Sequence, residues 1–269
     1  MKSEDSFAKI CDEVAARYDS VRRSIHDYLD KNEPRGEGRG LLRCEIPVSV
    51  QRMKNIDRKV EETLQRTIMS LLGIGTPVCW FNEFAVCAGV IGGPRKSVDL
   101  VHVSVDRSNW DFIELKEWAA EDEPEAVAEQ IQNYFFALSS LVERAVSPYE
   151  RCRPRSVRLW IMAPQAHFNR YGGTEIYEYR IKDIALAMEP LMKSRKEMLP
   201  VSFCSTPLVL DATISKKDFV GMFDKDRMNA LIEKKQAAKT PLEILLPKGV
   251  ELLRSWITIA VKPLDKGMA

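Results

Sequence analysis

Apolar residues recur every three or four positions over residues 4–30: Phe7, Cys11, Val14, Tyr18, Val21, Ile25 and Tyr28. This heptad stripe, about three heptads long, predicts a helix. The stripe suits either a partner helix or the chain's own core. Asn32 to Gly40 carries a proline and three glycines among charges and reads as a loop. Leu41 to Val50 reads as a strand that Pro47 would confine to an edge. Asn55 to Leu72 returns to helical spacing through Ile56, Val60, Leu64, Ile68 and Leu71, with Gly73 placed to end it. The period then shortens. Val78–Val86, Ser97–Val105 and Trp110–Glu117 are short, β-branched or aromatic, and broadly alternating, so three strands are predicted. Ser108-Asn109 marks a turn between the last two.

Pro124 to Arg144 is a long helix, with an acidic, proline-marked start and an apolar face of Val127, Ile131, Phe135, Leu138 and Val142. Val157 to Ala163 reads as a fourth strand. Beyond it the pattern weakens. Gln165–Gly173 reads as a loop, and the segment from Ile181 as a helix. Pro200–Ile214 suggests one or two strands, Asp218–Lys239 a helix with a lysine-rich face, and Leu252–Val261 a closing strand. The expected class is α/β. Residues 1–40 form an N-terminal helical arm and linker, 41–165 a core, and 166–269 a C-terminal α/β extension.

Composition narrows the function classes. The chain has 269 residues with 45% hydrophobic and 29% charged content, ordinary for a globular protein. A net charge of +1 gives no global pull on a polyanion, so any nucleic-acid contact must come from a local patch. Six cysteines without a Cys-x-x-Cys spacing argue against zinc and for reduced thiols in a cytoplasmic protein. The polar, acidic start is unlike a signal peptide, and no apolar run is long enough to span a membrane.

The candidate chemistry lies in residues 97–134. Glu114 and Lys116 are two apart on a strand and project together, while Leu115 points the other way. A paired hairpin lets Asp99 join them. Two carboxylates and a backbone carbonyl are hard oxygen ligands suited to Mg²⁺ or Mn²⁺. A bound ion of that kind stabilises a phosphoryl transition state, and a neighbouring lysine can orient water. Gln130 and Tyr134, four apart, are stacked neighbours on the helix that follows.

Asp99, then Glu114-Leu115-Lys116, then a helix with Gln130-x-x-x-Tyr134, resembles the PD-(D/E)XK nuclease superfamily in its RecB-like form. The resemblance covers roughly residues 55–165. It implies a restriction-endonuclease-like core of helix, three-strand meander, helix and strand. It further implies that Asp99, Glu114 and the Leu115 carbonyl hold the metal, Lys116 serves the attacking water, and Gln130 and Tyr134 border the site. Attack in line with the leaving 3′ oxygen would leave a 5′ phosphate. Glu61 on the first helix and Glu83 on the first strand are further metal-ligand candidates by the same resemblance. Asp57-Arg58-Lys59 and Glu233-Lys234-Lys235 also fit the bare tripeptide, but in helical surroundings, where they read as solvated faces.

Arg151, Arg153, Arg155 and Arg158 form the densest basic stretch and would grip a nucleic-acid backbone if they lie beside the site. The expected function is a divalent-metal-dependent nuclease, with DNA the favoured substrate. Its alternatives are a non-catalytic nucleic-acid-binding module on the same fold and an assembly protein, dimerising through the N-terminal helix. His102 has no second histidine at ligand spacing and reads as a strand residue without chemistry.

Overall fold

The computed structural model describes residues 4–31, 59–72, 80–85, 97–146, 154–210, 214–223, 226, 230 and 250–265. Its centre is the alternating stretch predicted to form strands. β1 (Trp80–Ala85), β2 (Ser97–Val103) and β3 (Asn109–Leu115) make an antiparallel meander, with Trp80 opposite His102 and Leu100 opposite Ile113. The β2–β3 turn is wider than Ser108-Asn109. Asp106 accepts from the Ser108 amide at 3.0 Å, and Arg107 adopts φ 60°. The aspartate therefore organises the reversal, and Asn109 begins β3.

The chain leaves β3 through α3 (Pro124–Glu143) and returns as β4 (Ser156–Pro164), parallel to β3. A parallel return needs such a crossover. β5 (Val201–Phe203) and β6 (Leu208–Leu210) both pair in parallel with β4, giving a six-stranded mixed sheet. The expected boundary at residue 165 thus falls between segments that share one sheet.

Helices cover both faces because β3 and β4 present apolar side chains on each side, as interior strands do. Phe112, Leu159 and Ile161 face α3, whose Ile131, Phe135 and Leu138 are fully buried. Ile113, Leu115 and Met162 face the other layer, built on Leu64 and Ile68 of α2 (Val60–Leu72). The predicted stripes of both helices are their buried faces.

The N-terminal helix, α1 (Glu4–Lys31), lies in the α3 layer. Its Val14, Tyr18 and Ile25 are buried, and Tyr18 meets Phe136 edge-on at 5.4 Å. Arg22 donates to Glu143 at 2.8 Å, and Arg195 to Asp19 at 2.6 Å. The rest of the stripe, Phe7, Cys11, Val21 and Tyr28, is partly buried against the same core.

Two expectations beyond β4 are corrected. Residues expected as a loop form α4 (Gln165–Arg170), followed by α5 (Thr174–Leu186), α6 (Met188–Ser194) and α7 (Lys216–Gly221). Leu252–Val261, expected as a strand, lies inside a helix, α8 (Val250–Asp265). Its β-branched residues favour a strand locally, but Leu253, Trp256, Ile257, Ala260 and Leu264 form a helical stripe buried against α2 and the sheet. Packing of that stripe outweighs a weak local preference. The predicted strand at 41–50 and most of the predicted helix at 218–239 lie outside the described residues. Among the described residues no helix is long and apolar enough to cross a membrane.

Candidate active site

β2–β3 pairing is last registered at Leu100 opposite Ile113, and there the strand edge becomes a site. Asp99 accepts the Leu115 amide on Oδ2 at 2.9 Å. Its carboxylate thereby takes a donor that a continuing ladder would have used. β3 stays paired with β4 on its other side as far as Leu115 opposite Met162. The Lys116 amide then donates to the Met162 carbonyl at 2.9 Å, extending the strand by one residue. Glu114 and Lys116 therefore project to the same face, as their spacing predicts.

That face is closed by α3, and the side chains join in series. Lys116 Nζ donates to Glu114 Oε1 at 2.8 Å and to Gln130 Oε1 at 3.4 Å. Gln130 Nε2 donates to Tyr134 Oη at 2.9 Å. Asp122, on the loop into α3, places Oδ2 3.6 Å from the ammonium. The Lys116 and Glu114 side chains are only 6% and 2% exposed, so each charge depends on the other. Glu114 Oε2 is buried without a hydrogen-bond partner.

α2 delivers two residues. Glu61 lies on α2, and Gln65 follows one turn later on the same face. Gln65 Nε2 donates to the Asp99 carbonyl at 3.0 Å and to its Oδ1 at 3.4 Å. Gln65, Asp122 and the loop after Lys116 escaped the sequence reading. For Gln65 a signal existed, four residues from Glu61. For the others none did.

The acids outnumber the ammonium, and their ionisation reflects it. Burial, and then the Asp99 carboxylate, push Glu61 up to about 7. Glu114 is raised well above the usual carboxylate range by burial and by Asp99, with Lys116 opposing. Burial alone would lower Lys116, but Glu114, Glu61 and Asp99 outweigh it and hold the ammonium protonated. Burial, with Glu114, pushes the Tyr134 phenol up to about 12. A cluster short of positive charge, with a bare carboxylate oxygen at Glu114 Oε2, is suited to a hard divalent cation. Among the described residues no three His, Cys, Asp or Glu side chains group to hold an ion. An ion bound beside Asp99 and Glu114 would complete its shell with neutral oxygens or water.

The loop after Lys116 is clamped by the C-terminal half of the chain. Trp118 Nε1 donates to the Ile214 carbonyl at 2.8 Å, and its ring lies 5.1 Å from Phe219 and 6.1 Å from Trp256. Lys216 pairs with Glu117 at 3.2 Å, and Arg170 donates to the Ala119 and Ala120 carbonyls at 3.0 and 3.1 Å. Arg170, Ile214, Lys216, Phe219 and Trp256 thus hold the backbone that presents Lys116.

The remaining candidates separate. Glu83 lies in β1 between Asn82, opposite Leu100, and Phe84, opposite Val98, so its backbone runs past Asp99. Its side chain, like Arg151 and Arg153, lies outside the described residues. Arg155 is exposed and is not brought to the site. Its amide donates to the Ser108 carbonyl at 2.6 Å, at the start of β4. Glu114 pairs with Ile161, six residues along, about 20 Å away at strand rise. The two ends of β4 lie at opposite ends of the sheet's strands, a separation the linear sequence conceals. Arg158 turns inward. It bonds the buried Asp111 at 2.6 and 2.9 Å, where His102 Nδ1 at 2.9 Å and Trp160 Nε1 at 2.8 Å also meet the carboxylate. Arg158 also donates to the Leu264 carbonyl at 2.8 Å, tying α8 to the sheet. No family model, no curated protein and no solved structure matches this chain.

Proposed function

We propose that this chain is a divalent-metal-dependent nuclease of the PD-(D/E)XK type, RecB-like, hydrolysing phosphodiester bonds with DNA the favoured substrate. The observation that carries the reading is the single hydrogen-bonded run from Gln65 and Asp99 through the Leu115 amide, with Glu114, Lys116, Gln130 and Tyr134 joined beside it. The order of α2, the β1–β3 meander, α3 and β4 agrees with the restriction-endonuclease-like core of that superfamily.

Each residue has a role under this reading. Asp99 and Glu114, with the Leu115 carbonyl, would hold Mg²⁺ or Mn²⁺, and Glu61 stands as a further acid. The ion, when bound, supplies charge neutralisation for the phosphoryl group. Lys116 orients the attacking water and offsets the negative charge that develops as the water loses its proton. Gln130 accepts from the ammonium beside Glu114, and Tyr134 in turn holds Gln130. Removing a group of this kind forfeits several kcal/mol of transition-state stabilisation, roughly a thousandfold or more in rate.

The test is cleavage of labelled single- and double-stranded DNA and RNA with Mg²⁺ and with Mn²⁺, alongside Lys116→Ala and Glu114→Gln. Cutting that requires the ion and is lost in both variants supports the assignment. Cutting that survives both sinks it. Retained nucleic-acid binding without cutting of any substrate would favour the binding module instead.

A further inference from the structure

Gln65 is 5% exposed, and its amide is oriented by what surrounds it. The two atoms facing one end of that amide, the Asp99 carbonyl oxygen and Oδ1, are both acceptors. The nitrogen must point at them, because two acceptors placed against the amide oxygen would gain nothing. The orientation leaves Oε1 as the acceptor at the other corner of the amide, and Oε1 is buried with no hydrogen-bond partner. A buried amide oxygen without a donor is costly and marks a place where a donor or cation belongs. Glu114 Oε2 is in the same condition. The site around Asp99 therefore shows two bare buried acceptors, one charged and one neutral, while among the described residues no three acids group to hold an ion.

Resting on the nuclease reading above, we propose that Gln65 belongs to the ion-binding site. Its Nε2 locks the Asp99 carboxylate, and its Oε1 supplies a neutral oxygen to the ion or to one of the ion's waters. Hard cations accept amide oxygens beside carboxylates, and a neutral donor adds a ligand without adding to an already excessive negative charge. The position on α2 makes this economical. The helix is anchored by Leu64 and Ile68, both fully buried, so Gln65 is held by rigid neighbours on either side.

The test is Mn²⁺ binding by calorimetry to the full chain without nucleic acid, together with thermal unfolding in EDTA. The chains compared are wild type, Gln65→Met and Gln65→Glu. Gln65→Met keeps the length and removes both polar atoms. It is expected to weaken Mn²⁺ binding by about 10- to 100-fold, the usual consequence of losing such a supporting group. Gln65→Glu keeps an oxygen at the same place and is expected to bind Mn²⁺ at least as tightly as wild type, although it unfolds at lower temperature in EDTA. A role confined to structure would lower the unfolding temperature of Gln65→Met and leave its Mn²⁺ affinity within threefold of wild type, which overturns the proposal. Should Gln65→Met fail to fold, Gln65→Leu takes its place under the same threshold, and Mn²⁺ affinity within threefold of wild type overturns the proposal. A wild-type chain that binds no Mn²⁺ rejects the nuclease reading itself, a different result from a wild type that binds and a Met variant that binds equally.

Discussion

Lys116 and Glu114 are unequal partners, and the inequality predicts a measurable asymmetry. Among the described residues Glu114 has one donor, the Lys116 ammonium at 2.8 Å, and its second oxygen is bare. Lys116 has Glu114, Gln130 at 3.4 Å and Asp122 at 3.6 Å. Lys116→Met therefore strands a carboxylate that is 2% exposed, and breaking a buried pair from one side costs about 3–5 kcal/mol. Glu114→Gln is milder, about 1–2 kcal/mol, because the amide oxygen still accepts from Nζ and the ammonium keeps its other partners. The double variant replaces a charged pair by neutral side chains of similar size and should cost little more than Glu114→Gln alone. The coupling energy in the four-member cycle is then about 3 kcal/mol. Urea unfolding at pH 8 measures it. At pH 5 the cost of Lys116→Met should shrink, because the stranded carboxylate takes up a proton, with stability changing by up to ~1.4 kcal/mol per pH unit. A Lys116→Met cost below about 1 kcal/mol at pH 8, or a coupling below about 0.5 kcal/mol, would refute the reasoning. The cycle also separates lost catalysis from lost folding in any variant of Lys116.

Two further perturbations test the surroundings of the pair. Glu61 is raised from 4.5 to about 7 in the fold, so ionising it opposes folding. In EDTA, wild-type stability should fall as pH rises from about 4.5 to 7, and Glu61→Gln should gain up to about 3 kcal/mol above pH 7 and nothing below 4.5. Thermal unfolding against pH checks this, and an equal gain at all pH values would contradict it. Trp118 is 6% exposed among Phe219 and Trp256. Trp118→Ala should cost about 3–5 kcal/mol in urea unfolding, and Trp118→Phe only about 1–2, the share of the bond to Ile214. Equal losses for the two would mean that ring packing contributes little to the clamp.

The clamp also shows where sequence reading lost its grip. Residues 80–143 were legible because each element there is organised by its own period. The alternation of β3 faces Glu114 and Lys116 the same way, and the three-to-four spacing of α3 stacks Gln130 under Tyr134. Such relations need only the strand and helix repeats. Leu252–Val261 was misread because its β-branched residues and its helical stripe compete, and burial against α2 favoured the helix. Arg155 was misplaced because closeness to β4 in sequence says nothing about which end of β4 carries the site. α1 left two partners open, and only the packed chain shows Tyr18 against Phe136.

Sequence alone determined the residue types and their local phase: two acids, an ammonium, and a glutamine–tyrosine step on the following helix. The tertiary structure decided everything that depends on separate segments meeting. It decided that Asp99 receives the Leu115 amide, that α2 brings Gln65 to Asp99, and that Ile214, Lys216 and Arg170 hold the loop behind Lys116. Local periodicity sets the direction in which a side chain leaves its own element. Register and long-range packing set what it meets there, because those contacts are selected by burial and pairing across the whole chain.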